Sequence, residues 1–365
     1  MTSYFKDKSV LITGCCGSVG NELIRQLANF NKNKPLEIIG IDNNESALFF
    51  QDQDYINDER IRLFVADIRN SDDLRKHLAG VDVVFHCAAL KHVVLCERSP
   101  DQALGTNITG VQNIIAMSQQ SGVQKVIFTS SDKAVNPTNV MGTTKLLGEK
   151  LITAANSNKL PTKTIFASTR FGNVLGSSGS VIPIFHNQIS LGGPITLTDK
   201  NMTRFVMSIE ESVRLIIQSA TLAKGGEVFI TKMPVILIKD LAKAMIAELA
   251  PSYGLKPNSI QIDEIGIKPG EKLYEELVSS EEVRRVIEQD EYYILLPAFS
   301  GMYEHVEYDY PKVKSTPLKS PYISCVDNAI DVESIKNLLH KYKLLNKPIV
   351  EKNKRYWPGD KEEKS

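Results

Sequence analysis

The feature that most constrains this chain is a glycine trio placed directly behind a β-branched apolar run. Leu11–Gly20 reads LITGCCGSVG, with Gly14, Gly17 and Gly20 in a G-x-x-G-x-x-G spacing and a helical pattern immediately after them. A strand must pass into a helix within a few residues here. Gly14 permits the tight turn, Gly17 lets the backbone approach a bound group, and Gly20 lets the helix pack closely. Ser18, Val19 and Gly20 open the helix, where free N–H donors and the positive end of the helix dipole favour an anion such as a pyrophosphate. No Lys-Ser/Thr pair follows, which excludes a Walker loop, and the spacing differs by one residue from G-x-G-x-x-G. The trio is weak evidence alone and draws its meaning from the surrounding pattern.

That pattern is an alternation of strand and helix. Apolar runs predict buried strands over Ser9–Thr13, Leu36–Asp42, Arg62–Ala66, Val81–Cys87 and Val126–Ser130. Spacing near 3.6 predicts helices over Ser18–Phe30, Ser71–Leu78, Gln102–Gln119 and Gly142–Ala155. The fold class expected is α/β, a Rossmann-like, doubly wound parallel sheet. After about Arg170 glycine and proline become frequent, so a smaller, interleaved C-terminal lobe is expected to cover a substrate. On this reading residues 1–173 bind a dinucleotide, 204–232 rejoin that domain through Ile209–Leu222 and Val228–Ile230, and 174–203 with 233–345 form the substrate lobe. Helices are expected there over Ile238–Leu249 and Val332–Leu345. The tail, 346–365, is charge-dense and read as weakly ordered, with Trp357 docking locally.

Composition narrows the partners. The 365 residues carry 43 Lys plus Arg against 43 Asp plus Glu, which leaves no net charge to attract nucleic acid or an anionic membrane. No apolar run approaches the ~20 residues that span a bilayer, and Met1–Lys8 lacks a signal peptide's apolar core. A soluble cytoplasmic protein with neither nucleic-acid nor membrane partner is expected. Cys15, Cys16, Cys87, Cys96 and Cys325 show no disulfide or zinc spacing. Cys15 and Cys16 either have thiol pKa values lowered by the helix N-terminus or simply fill a crowded loop. His92 and His186 form no metal-ligand pattern, and no metal is expected.

Two further strand ends extend the cofactor bed. Asp42, about 20 residues beyond the glycine loop, is suited to accept ribose hydroxyls and to repel a 2′-phosphate, so NAD is favoured and NADP remains the alternative. Asp42-Asn43-Asn44 is also ordinary turn chemistry. Asp67 and Ile68 end the third strand where adenine contacts are expected. Ala88 and Ala89 end the fourth with small residues that admit a nicotinamide ribose. Beyond the fifth strand comes SSDKAVNP, Ser130–Pro137, followed by Met141-Gly142-Thr143-Thr144-Lys145, with a carboxylate and an amine adjacent where doubly wound sheets bind ligands.

The segments TGCCGSVG, AALKHV, SSDKAVNPTNVMGTTK, TRFGNVLGSSGSVIPIF, MTRFVMS and GEKLYEELVSSEE occur in one order over roughly Lys8–Pro297. Together they resemble the extended short-chain dehydrogenase/reductases that act as UDP-N-acetylglucosamine 4,6-dehydratases in surface-polysaccharide and nonulosonic acid pathways. One departure from the wider superfamily is Met141, which stands where the Tyr-x-x-x-Lys pair has its tyrosine; a thioether carries no proton. Some members of the dehydratase group also carry Met there. The resemblance implies an internal redox elimination on a UDP-sugar with bound NAD. Ser131 would relay the C4-hydroxyl proton, Asp132 would be the acid at O6, and Lys133 the base at C5 if burial and Lys145 lower its pKa. Lys145 would hold ribose hydroxyls. The alternative for Asp132 and Lys133 is a surface loop salt bridge.

By the same resemblance Lys91 and Asn173 would face the sugar, Arg204 and Lys268 the diphosphate, and Glu271 would order a closing loop. The alternatives are surface ion pairs for Arg204 or Glu271 and a solvated Lys268. A homo-oligomer, a dimer or larger, is expected by analogy. A nucleotide-sugar 4-epimerase or reductase is the competing enzyme reading, disfavoured by the missing tyrosine and the Asp132-Lys133 pair. A dinucleotide-binding protein without catalysis is the competing non-enzyme reading.

Overall fold

Strands that read as unbroken apolar runs need cover on both faces, and a parallel sheet with helices on either side provides it. The computed structural model describes residues 2–30, 33–157, 164–177, 179–267, 270–299 and 306–346. All of the expected tail, 346–365, except residue 346 lies outside the described residues, as does Lys268. Strands β1 (Ser9–Thr13), β2 (Glu37–Asp42), β3 (Ile61–Val65), β4 (Val83–His86), β5 (Lys125–Thr129) and β6 (Ile165–Arg170) run parallel in the order β3-β2-β1-β4-β5-β6. Every residue of β1 and of β4 is buried.

The chain then leaves the sheet through β7 (Asn173–Val174), β8 (Ile195–Leu197) and β9 (Thr203–Met207), and returns with β10 (Val228–Thr231), which pairs parallel to β6. After β11 (Val235–Leu237), β12 (Ile262–Glu264) and β13 (Glu276–Val278), the segments β14 (Val286–Glu288) and β15 (Tyr292–Leu295) add two antiparallel edge strands, with β15 on β10. The main sheet thus has nine strands. This corrects the expected boundary: residues 286–295, read as part of the substrate lobe, belong to the main sheet. Their buried Ile287, Ile294 and Leu295 complete the core that starts at β1. The outer lobe is knit by small sheets, β7-β9-β11, β8-β12, and β13 with β16 (Tyr322–Ile323). Its separate core lies under the helices Val181–Ser190, Ile238–Leu249 and Val332–Lys341.

Several boundaries shift for local reasons. The helix expected to reach Leu345 stops at Lys341, and Lys343 takes a left-handed φ of 54°. The stretch expected over Gln102–Gln119 is helical from Pro100 to Gln120, with a π-helical turn at Gly105–Thr109. The sequence reading gave no helix between β2 and β3, where Glu45–Asp54 is helical. Asn44 caps it through the Ala47 N–H, and only Leu48 and Gln51 are buried.

Candidate active site

The glycine loop lies at the C-terminal ends of the central strands. Gly14 has a φ of +69°, and a Cβ there would stand 2.7 Å from the Ala88 backbone; a Cβ on Gly20 would overlap the Gly14 carbonyl oxygen. The loop therefore accepts no larger residue at either position, and the backbone surface it leaves bare fits a dinucleotide. Gly14, Gly17, Ser18, Val19 and Gly20 line one end of a cavity of about 450 Å³. An adjoining cavity of about 190 Å³ is lined by Asp42, Asp67, Ile68, Ala88 and Ala89. Asp42 accepts the N–H groups of Cys16 and Asn44, both at 3.0 Å, which fixes its carboxylate against the loop. Asp67 is held by Arg69, whose guanidinium keeps its pKa below the usual carboxylate range.

Cys15 is buried, and its thiol is pushed up by the hydrogen bond to Cys16 and then by burial, so the helix N-terminus does not activate it. The crowded-loop alternative describes it. One donor atom each of Cys15, Cys16 and Asp42 lies within 4.8 Å of the others, a grouping that the scattered spacing of the cysteines did not suggest.

At the far end of the larger cavity, β5 stops at Thr129 and the chain turns through a short 3-10 helix, Asp132–Ala134. Ser131 caps this turn by accepting the Lys133 N–H at 3.2 Å and donates its hydroxyl to Asp132 Oδ1 at 2.7 Å. Lys133 Nζ reaches Asp132 Oδ1 at 3.0 Å, Glu275 Oε1 at 3.1 Å and Asn173 Oδ1 at 3.5 Å. Asp132 is completely buried while the Lys133 side chain keeps 26% exposure toward the cavity, so the pair is no surface salt bridge. Asp132 Oδ2 and Glu275 Oε2 are buried with no hydrogen-bond partner among the described residues.

The charge states differ from those expected. Burial works against the Lys133 ammonium, but Asp132 and Glu275 outweigh it and raise its pKa above the ordinary lysine value. Burial instead brings the pKa of Lys145 down to about 8. Its Nζ donates to the Thr129 carbonyl at 2.8 Å and sits 4.8 Å from the centre of the Phe128 ring. The expectation that burial and Lys145 would depress Lys133 is thus corrected: two carboxylates face Lys133, and Lys145 is committed to the strand end behind it. Met141 is buried with Cys96 and Ala103, and also lines the cavity.

Lys91 and Asn173 line this cavity too, and burial lowers the Lys91 pKa. Arg204 differs. Only 7% exposed, it pairs with Glu275 at 3.6 Å and donates to the carbonyls of Thr203 and Leu273, so its guanidinium serves the Lys133 cluster. It lines a side cavity of about 230 Å³ with Lys133, Asn173, Glu271 and Glu275.

Two residues were missed. Asn107, on the π-helical turn, accepts the Leu90 N–H and donates to the Leu90 carbonyl and Thr144 Oγ1, which ties the end of β4 to the helix carrying Lys145. The sequence signal was a polar residue within an apolar helical face. Glu275 is the other, and nothing in its spacing separates it from its neighbour Glu276.

A family model described as polysaccharide biosynthesis protein matches residues 10–297. The chain belongs to this polysaccharide biosynthesis family. Among curated relatives, the uncharacterized membrane protein MJ1061 of Methanocaldococcus jannaschii is 50% identical over 297 residues, 81% of this chain and 88% of its own. The capsular polysaccharide biosynthesis protein CapD of Staphylococcus aureus is 42% identical over 76% of this chain, which spans only 46% of CapD. A UDP-glucose 4-epimerase of Rickettsia bellii is 37% identical over 92% of this chain and 96% of its own. Among solved structures, Pen from Bacillus thuringiensis superposes with a TM-score of 0.84 at 41% identity, covering 93% of this family member and 98% of Pen. The dTDP-glucose 4,6-dehydratase DesIV of Streptomyces venezuelae shares the fold, with a TM-score of 0.64 at 23% identity over 73% of this chain and 87% of its own. Despite the name of the first relative, no helix among the described residues is long and apolar enough to cross a membrane.

Proposed function

We propose that this family member is a nucleotide-sugar 4,6-dehydratase acting on UDP-N-acetylglucosamine with tightly held NAD. The observation that carries the reading is the Ser131-Asp132-Lys133 turn around a buried Asp132 with one carboxylate oxygen unpartnered among the described residues, in the same cavity as the glycine loop and with Met141 where a proton-carrying tyrosine would stand. NAD, when bound, supplies the acceptor for the C4 hydrogen and returns it at C6. The glycine loop and the N-terminus of Ser18–Ala28 hold its pyrophosphate, Asp42 and Asp67 its adenosine side, and Lys145 its nicotinamide ribose. Asp42 sets the preference for NAD over NADP.

Proton handling falls to the turn. Ser131 takes the C4-hydroxyl proton and passes its own along the 2.7 Å bond to Asp132, which becomes a carboxylic acid. Lys133 removes the C5 proton, acidified by the 4-ketone. Asp132 then gives its proton to O6, and water leaves. Lys91 and Asn173, in the wall of the same cavity, position the sugar.

The 37% identity to a protein named UDP-glucose 4-epimerase favours a second reading, epimerisation at C4 on the same cavity. Incubation of the purified protein with UDP-N-acetylglucosamine, followed by NMR, separates the two. A 4-keto-6-deoxy sugar with loss of water is expected; a C4 epimer of unchanged mass would establish the alternative.

A further inference from the structure

Lys133 poses a chemical difficulty for the dehydratase reading. A base at C5 must be neutral, yet two carboxylates hold this amine as an ammonium. Asp132 does not solve the problem, because it already receives the C4-hydroxyl proton that it later delivers to O6. A second acceptor is needed, and the structure holds one. Glu275 Oε1 lies 3.1 Å from Lys133 Nζ on a separate element, and Glu275 Oε2 is buried with no partner among the described residues.

Resting on the dehydratase reading, we propose that Glu275 is the proton-holding partner of Lys133, taking a proton from its ammonium so that Lys133 becomes the neutral base at C5 and giving that proton back when the cycle closes. The steps balance. An N–H bond of Lys133 breaks and an O–H bond forms on Glu275. Lys133 takes the C5 proton, and the C5–H electron pair enters the enolate of the 4-ketone. Asp132 protonates O6 and water departs with the former C4-hydroxyl proton. Lys133 then returns its proton to C5 and recovers its own from Glu275. Because Glu275 acts through Lys133, it is a positioning residue.

The surroundings suit that task. Burial raises the Glu275 pKa, an effect that Asp132 reinforces and that Lys133 and Arg204 only partly oppose. The other charged groups of the side cavity are Glu271 and Lys272, and the latter donates to the Val135 carbonyl at 2.9 Å. The backbone of Glu275 is fixed on both sides: its N–H donates to Ser324 Oγ at 2.8 Å and its carbonyl accepts from the Ser324 N–H at 2.9 Å. Ser324 in turn accepts the Thr203 hydroxyl at 2.8 Å. Asn136 and Asn139, just past the catalytic turn, bond Glu276 and the Gly270 carbonyl, which brings this loop against Lys133. The backbone that carries the Glu275 carboxylate is thereby anchored beside Lys133.

The test is Glu275→Gln, which preserves size and a hydrogen-bond acceptor but takes no proton. Run in deuterated water with UDP-N-acetylglucosamine, the variant should incorporate C5 deuterium on the order of 10²-fold more slowly than the natural protein. It should hold NAD and melt as the natural protein does, and the acid limb of the exchange rate against pH should vanish. Should Glu275→Gln melt early, Glu275→Asp decides: restored exchange supports proton holding, and exchange as slow as in Gln overturns it. Unchanged exchange in Glu275→Gln also overturns the proposal. A natural protein that forms no 4-keto sugar would instead refute the dehydratase reading. Infrared titration of the unliganded protein then judges Glu275 alone, through a carboxylic-acid band that appears on acidification already above the usual carboxylate range and is missing from Glu275→Gln. Absence of that band overturns the proposal.

Discussion

Among the described residues two buried ion clusters differ in how completely their atoms are paired. In the first, Arg170 is wholly buried between Glu149 and Glu282, bonding both carboxylates in two-pronged fashion at 2.7–3.0 Å and the Leu277 carbonyl at 3.1 Å. None of its atoms is without a partner. It ties β6, the Val140–Ala154 helix and the 277–282 segment into one body. In the second, Asp132, Lys133, Glu275 and Arg204 carry equal numbers of opposite charges, yet two carboxylate oxygens are left over and Lys133 opens to the cavity. A buried polar atom without a partner is costly, and beside an open cavity a bound ligand is one way to complete it. The first cluster holds the structure, and the second is the one we propose to react.

The strongest way to break this contrast is to remove the reacting groups. Asp132→Asn and Lys133→Ala should each cost on the order of 10²- to 10⁴-fold in turnover, with NAD still bound and little change in melting. Unimpaired turnover in either variant would reduce the second cluster to a structural one. Arg170→Ala should do the opposite, lowering stability by ~3–5 kcal/mol because two carboxylates lose their buried counter-charge. Denaturant unfolding measures this, and a loss below ~1 kcal/mol would contradict the structural role.

The same cluster predicts an acid transition. Burial opposes the Glu282 charge, but Arg170 outweighs it and brings the pKa to about 2. A folded pKa below the unfolded value contributes stability that is present above the unfolded value and lost as pH falls through the folded one. Stability should therefore decline between about pH 4.5 and about pH 2, and Glu282→Gln should flatten that decline at the expense of stability near neutral pH.

Smaller effects sharpen the cofactor side. With its pKa near 8, Lys145 loses its charge as pH rises through that value, so NAD affinity measured by fluorescence should weaken there and the dependence should disappear in Lys145→Gln. Met141→Leu, which keeps volume and removes only the sulfur, should change turnover least. A collapse of activity in Met141→Leu would assign that position a role beyond packing.

Much of this was legible in the sequence because it is local. Gly14, Gly17 and Gly20 reveal the turn by their place between an apolar run and a helical pattern, and β1, β2, β4 and β5 announce themselves as β-branched runs. Ser131, Asp132, Lys133 and Lys145 share one strand end and one helix. What escaped is long-range or faintly patterned. The Glu45–Asp54 helix buries too little to show a face, and β6, IFASTR, mixes polar residues into a fully covered strand. The edge pair β14 and β15 is recruited by pairing with β10, a choice no local pattern records. Glu275 joins Lys133 only through the tertiary fold, as does Arg204, which pairs with Glu275. The Lys133 charge state was misread for the same reason, since one of the carboxylates that raises its pKa comes from a distant part of the chain.

An elimination carried by internal hydrogen transfer leaves its mark in isotopic labelling. UDP-N-acetylglucosamine deuterated at C4 should yield, with the purified protein and no added reductant, a 4-keto-6-deoxy sugar carrying the deuterium at C6. Deuterium retained at C4 of an epimerised sugar, or recovered in solvent, would contradict the account.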